Sequence, residues 1–299
     1  MQILFGENEL EFNVINHPLL VEKKISLSVA RLDKIHPVVS GNKLFKLHYF
    51  LQEALKDKTK PVLTFGGAYS NHLAATAFAC KECGLKSIGI VRGEAAPVLS
   101  HTLKQCEADG MELHFVSREM YKEKNIDISS IVQEECIVVP EGGYHPLGAD
   151  GASLIMEKIR KENPTHVCTA VGTATTLAGL LNASTSDETI IGIPVLKGLN
   201  DIHERIGYLC NGRNLANLEI FNNYHFGGYA KKTSGLINFM NEFYLSYHVP
   251  TDFVYTAKML FGVMEEIKQD FFKAGSRIIC LHTGGLQGND SLPHGTLVF

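Results

Sequence analysis

Lys43 stands at the mouth of a helical pattern in "VSGNKLFKLH", residues 39–48, directly after the turn formers Gly41 and Asn42. Lys46 follows three residues later, and Leu44, Leu47, Phe50 and Leu51 mark one apolar side of the same helix. Two readings are open: a solvated helix start, or a lysine that forms a covalent bond.

Other stretches carry polar groups at similar junctions. In "GGAYSNHLAATAFACKECG", residues 66–84, glycines end a strand and Ser70 suits the N-cap of a helix. The helix start offers backbone N–H groups and a positive dipole end to an anion. Ser70, Asn71 and His72 add three polar side chains in a row, although a capping serine with a polar first turn explains them equally. "AVGTATTLAGLL", residues 170–181, again joins a strand to a helix. It lacks the Gly-Lys-Ser/Thr ending of a P-loop, and with only Gly172 and Gly179 it is not the dinucleotide fingerprint. Its N–H groups and threonine hydroxyls suit a phosphate, and a plain strand-to-helix turn fits as well. Tyr255 and Thr256 open a helix in "DFVYTAKMLFG" (252–262), Thr283 precedes paired glycines in "CLHTGGLQG" (280–288), and Tyr229 follows a glycine pair in "HFGGYAKK" (225–232).

Several chemistries are missing. There is no H-E-x-x-H and no G-x-S-x-G, and His101, His114, His166 and His203 are dispersed, so no metal site is expected. The seven cysteines are scattered, which suits reduced thiols. Cys80 and Cys83 form a C-x-x-C, but at the end of a helix, where the dipole does not activate a thiol, so a structural role is expected.

The elements that must position these groups alternate. Strand patterns cover 61–67, 87–93, 112–117, 136–143, 166–173, 189–196, 218–228 and 277–285. Helical patterns cover 44–56, 71–84, 98–109, 148–162, 175–184, 200–211, 234–247 and 256–274. Several strands are continuously apolar, as in a parallel sheet covered on both faces. The order predicts an α/β fold with right-handed crossovers. Four strands run into glycine-rich turns, at the carboxyl ends where ligands gather in open α/β sheets. With no long linker, any two domains must be closely packed or interleaved. The 299 residues suit one large or two unequal domains. A net charge of -4 gives no basic footprint for nucleic acid or an acidic membrane, and no apolar run reaches bilayer length. "MQILFGENELEFNV" lacks a secretory pattern, so the cytoplasm is the expected compartment.

From about residue 34 to 290, the order of these pieces resembles the fold-type II pyridoxal-phosphate enzymes. More narrowly it resembles the D-cysteine desulfhydrase / 1-aminocyclopropane-1-carboxylate deaminase family, most specifically in "GNKLFKLHYFL", "GGAYSNHLAATA" and "DFVYTAKMLFG". The resemblance implies two interleaved open-sheet α/β domains of the tryptophan synthase β-like kind, a small amino-acid substrate and a homodimer. Residues 1–46 and 151–299 would form the larger, pyridoxal 5'-phosphate-binding domain, and residues 47–150 a smaller domain closing over the substrate. It places a Schiff base to the cofactor on Lys43, which needs a neutral amine. Desolvation and nearby positive charge lower a lysine pKa toward that state. Lys46 would lie near the phosphate, and Val171, Gly172, Thr173, Ala174, Thr175 and Thr176 would wrap it, although "GTATT" is less glycine-rich than other versions. Asn71 would bond the pyridoxal 3-oxygen, Ser70 with the helix start behind it would hold the substrate carboxylate, and His72 would stand beside them. Tyr229 and Tyr255 would orient the leaving group or assist proton transfer.

Two positions help choose within the family. The cyclopropane deaminases carry Glu after the tyrosine of "VY" and Leu before the late glycine pair, whereas this chain has Thr256 and Thr283. Either threonine would share a hydrogen bond with the pyridine nitrogen, giving a weaker electron sink than a carboxylate would. That suits elimination of a good leaving group such as hydrosulfide. The implied activity is D-cysteine desulfhydration, with freed Lys43 taking the α-proton and products pyruvate, hydrogen sulfide and ammonia. The alternatives are the cyclopropane deaminase and a non-catalytic cofactor- or anion-binding protein.

Overall fold

A computed structural model describes residues 9–36, 39, 41–123, 126–210 and 217–299. Its strands form two sheets that are interleaved along the chain. The six-stranded sheet takes β1 (Phe12–Val14), β2 (Ser26–Ala30), β7 (His166–Val171), β8 (Thr189–Pro194), β9 (Leu218–Ile220) and β10 (Arg277–Leu281), in the order β1-β2-β10-β7-β8-β9. The four-stranded sheet takes β3 (Val62–Gly67), β4 (Ser87–Arg92), β5 (Met111–Val116) and β6 (Ile137–Val139), in the order β5-β4-β3-β6. Pairing is parallel except for β1, which runs antiparallel to β2 at the sheet edge, where the short connection through α1 (Pro18–Lys23) allows it.

Burial explains the apolar strands. Five of the six residues in β4, β7 and β8 are buried, because helices cover both faces. The helices are α2 (Asn42–Lys56), α3 (Asn71–Cys83), α4 (His101–Ala108), α5 (Arg118–Glu123), α6 (Ile128–Ile131), α7 (Pro146–Ile159), α8 (Thr175–Ala183), α9 (Ile202–Leu209), α10 (Ser234–Tyr247) and α11 (Thr256–Lys268). Local chemistry sets their ends: Ser70, Ser100 and Thr233 accept from the backbone of α3, α4 and α10, and Gly84 closes α3 in a left-handed conformation. One apolar core runs from α2 through α7 and α8 to β7, β10 and β3, so both sheets share it. In that core α2 and α7 touch backbone to backbone: a side chain on Gly151 would run into the Phe45 carbonyl.

The expected strand over 218–228 is the main correction, since β9 stops at Ile220. Phe226, Gly227 and Gly228 take positive φ values of 51°, 90° and 117°, which no strand allows. The final helix stops at Lys268 rather than 274, because Asp270 turns left-handed at φ 61°. Strands β1 and β2 and helices α1, α5 and α6 were not expected.

Candidate active site

The segments that follow β3, β7 and β10 come together around the start of α2, which carries Lys43. Gly41, at φ 72°, passes so close to the Thr283 carbonyl that a side chain could not be accommodated. Asn42 then ties the start of α2 to the start of α8: its Nδ2 donates to Thr176 Oγ1 at 2.8 Å. Its Oδ1 accepts from Lys43 Nζ at 2.8 Å. Burial pushes the Lys43 amine down to about 8, against the pull of the Asp252 carboxylate. A neutral amine is therefore well populated at mildly alkaline pH. The expected help from positive charge falls instead on Lys46, which burial and then Lys43 hold far below the usual lysine range.

Lys46 is buried and donates to the Gly142 carbonyl at 3.2 Å, and Gly142 packs against Thr173. This brings the Lys46 amine to the turn after β7. There Gly172, Thr173 and Ala174 lead into α8, whose N-cap, Ala174 at φ 68°, has no side chain capping the first-turn N–H groups. Thr173 and Thr175 share a hydroxyl–hydroxyl bond of 2.9 Å. Uncapped N–H groups, two hydroxyls and a buried amine that an anion would protonate suit a phosphate. Val171 does not face this turn: its side chain is in the core and its carbonyl accepts from the Val195 amide.

From the other sheet, α3 brings Ser70, Asn71 and His72. Ser70 Oγ accepts from the Leu73 amide at 3.3 Å, as its capping role predicts. A Cβ built on Gly285 would lie 3.5 Å from Asn71 Nδ2 and 3.3 Å from Asp252 Cγ, so Asn71 spans the junction to the turn after β10. His72 is buried, and among the described residues neither ring nitrogen makes a well-formed hydrogen bond. Burial, then Lys43, then Lys46 hold its pKa at about 3, although the nearby Pro140 carbonyl favours the proton. A buried ring with two unmet polar atoms beside two lysines points to a polar ligand there.

At the start of α11, Tyr255 packs 3.4 Å from where a Gly172 Cβ would stand, and its ring meets that of Tyr229 edge-on at 6.1 Å. Burial and then Tyr229 raise the Tyr255 pKa well above the usual phenol range, so it is a proton donor. Tyr229 is 53 % exposed, at the rim. Thr256 and Thr283 are both buried, and the Thr256 hydroxyl is engaged by Asp252 at 2.6 Å.

Sequence reasoning missed Asp252 and Asn42. Asp252 accepts from the amides of Val254, Tyr255 and Thr256 at 2.7–3.0 Å, and so caps α11 from upstream. An acidic residue shortly before a helix was the available signal, but it reads as surface capping, and only the fold buries it. Cys80 lies buried in α3, where burial raises its thiol pKa, so it stays protonated.

The family model described as pyridoxal-phosphate dependent enzyme matches residues 18–284. A Thermotoga maritima protein provisionally named 1-aminocyclopropane-1-carboxylate deaminase is 31% identical over 284 residues, covering 88% of this chain and 89% of its own. An Arabidopsis thaliana protein named bifunctional D-cysteine desulfhydrase/1-aminocyclopropane-1-carboxylate deaminase, mitochondrial, is 29% identical over 286 residues, covering 84% of this chain and 70% of its own. Among solved structures, an ACC deaminase homologue superposes with a TM-score of 0.78 at 24% identity, covering 96% of this chain and 95% of its own. A hydrogen sulfide-producing enzyme from Fusobacterium nucleatum does so with a TM-score of 0.70 at 13% identity, covering 97% and 98%.

Proposed function

The chain belongs to the pyridoxal-phosphate dependent enzymes, and on that premise we propose that it catalyses α,β-elimination on a small amino acid, D-cysteine above all, releasing hydrogen sulfide, pyruvate and ammonia. The observation that carries the choice is Thr256. Its side chain is an uncharged hydroxyl bonded to Asp252, where the family resemblance implies a carboxylate in the cyclopropane deaminases.

When bound, pyridoxal phosphate supplies an aldehyde for imine exchange and a ring that draws electrons from the substrate α-carbon. Lys43, its amine held at about 8, would be the residue that tethers the aldehyde, and its freed Nζ would take the substrate α-proton. Lys46, the first-turn N–H groups of α8 and the hydroxyls of Thr173, Thr175 and Thr176 hold the phosphate, whose charge would restore Lys46 to its protonated form. Asn71 bonds the ring oxygen, with neutral His72 beside it as a donor or acceptor. Ser70 and the amide groups of the first turn of α3 bind the substrate carboxylate. Tyr255, kept protonated, stands with Tyr229 where the leaving sulfur takes up a proton. Thr283 as a donor, or Thr256 as an acceptor only, would bond the ring nitrogen. In this reading residues 47–150 close over the substrate against 1–46 and 151–299. The protein works as a cytoplasmic homodimer. Among the described residues no helix is long and apolar enough to cross a membrane.

The second reading, cyclopropane deamination, is favoured by the names of several relatives. Parallel assays decide between them: hydrogen sulfide from D-cysteine against 2-oxobutanoate from 1-aminocyclopropane-1-carboxylate. Faster turnover of D-cysteine supports elimination, and turnover of the cyclopropane acid alone overturns it.

A further inference from the structure

Lys258 is among the largest side chains in the molecule with no exposed surface, and none of the steps above uses it. It lies in the first turn of α11, three residues after Tyr255 and two after Thr256. Among the described residues no carboxylate bonds its amine. Nζ donates instead to the His225 carbonyl at 2.9 Å and to the Gly228 carbonyl at 2.7 Å. Burying a cation against two carbonyls is expensive, and burial pushes this amine down to about 8 despite the pull of Asp252. Such a group persists where it fixes something.

The two carbonyls close consecutive turns. His225 O also accepts from the Gly228 amide at 3.0 Å, and Gly228 O from the Lys231 amide at 3.1 Å. One ammonium therefore staples both turns, 225–228 and 228–231. Besides the clamp, the Gly227 amide donates to His225 Nδ1 at 3.0 Å and the Phe226 ring packs on Phe261. Phe226, Gly227, Gly228 and Ala230 all have positive φ, and Gly227, Tyr229, Ala230 and Lys231 are exposed. Tyr229 is the first residue after Gly228, and its ring meets Tyr255 on the helix that carries Lys258. The stapled loop and the helix start thus bring the two tyrosine rings into edge-on contact.

We propose that Lys258 is a positioning residue that fixes Tyr229 beside Tyr255 by clamping the carbonyls of His225 and Gly228. The catalytic consequence rests on the role given to Tyr229 above, whereas the clamp itself can be read without it. The test uses the full chain with cofactor. Lys258→Met removes both hydrogen bonds at similar volume, and Lys258→Gln keeps N–H donors on a shorter side chain. Amide hydrogen exchange over residues 226–231 is expected to accelerate at least tenfold in Lys258→Met and less in Lys258→Gln, with β3 and α3 unchanged. Wild-type exchange in this loop in both variants overturns the clamp. If Lys258→Met does not fold, Lys258→Gln carries the test alone, with at least threefold faster loop exchange expected and unchanged exchange overturning it.

Turnover supplies the second readout. Lys258→Met is expected to lower kcat at least tenfold in the wild-type background and less than twofold when combined with Tyr229→Phe. An undiminished loss in the combined variant would show that Lys258 acts elsewhere and overturns the positioning role. If Tyr229→Phe alone is fully active, the role given to Tyr229 fails, and the exchange measurement still decides the clamp.

Discussion

The hydroxyl of Thr256 donates to Asp252 Oδ2 at 2.6 Å, while the amide of Asp252 donates back to Thr256 Oγ1 at 2.9 Å. The one proton of Thr256 is thus turned inward, so toward a ligand this oxygen can only accept. Asp252 in turn accepts three amides and one hydroxyl, with no cation bonded to it among the described residues. Replacement by alanine would orphan these donors at the start of α11. Asp252→Ala is expected to destabilise the apoprotein by about 3 kcal/mol, read as a lower Tm. An unchanged Tm would contradict this account of α11.

Lys43 makes stability depend on pH in a defined direction. Its folded pKa of about 8 lies below its ordinary 10.5, so the unfolded chain binds more protons between those values. The penalty is complete below about 8 and is relieved as pH rises toward 10.5, by an amount on the order of 3 kcal/mol. Lys46 shifts the same way and adds to the trend. Urea unfolding of the cofactor-free protein should therefore show Lys43→Met gaining on the wild type at neutral pH, with the gap closing toward pH 10.5. A gap independent of pH would mean that the amine is not desolvated.

Gly41 fixes where the α2 start sits. Its φ of 72° and its approach to the Thr283 carbonyl leave no space for a methyl group. Gly41→Ala should cost about 2 kcal/mol or more and weaken cofactor retention, both measurable by thermal unfolding with and without added pyridoxal phosphate.

Asn42 holds Lys43 and Thr176 in register with its two amide ends. Asn42→Ala should weaken cofactor affinity about tenfold, roughly the loss of one hydrogen bond to a charged group, by equilibrium titration. Stability should change less than with Gly41→Ala, because the backbone path is kept.

Much of this was legible in the sequence because burial writes itself into composition. Strands β3, β4, β7, β8 and β10 were readable as apolar runs since both faces are covered. Ser70 and the threonine-rich turn were readable because strand-to-helix junctions have local chemistry. β1 and β2 were not, since "FNV" and "SLSVA" are short and become strands by pairing toward β10. The segment 218–228 is apolar enough to imitate a strand, but pairing stops at Ile220 and positive φ at Phe226, Gly227 and Gly228 turns the chain away. Asp252 and Lys258 look like ordinary surface charges in a linear reading. Only the fold removes them from water.

The covalent role of Lys43 is the claim on which the mechanism depends. The direct measurement is borohydride reduction of the cofactor-loaded protein, followed by peptide mapping of the fixed pyridoxyl group. The visible absorption band should disappear and the label should sit on Lys43 alone. Label on Lys46 or Lys258, or a band that survives reduction with no label retained, would contradict the account.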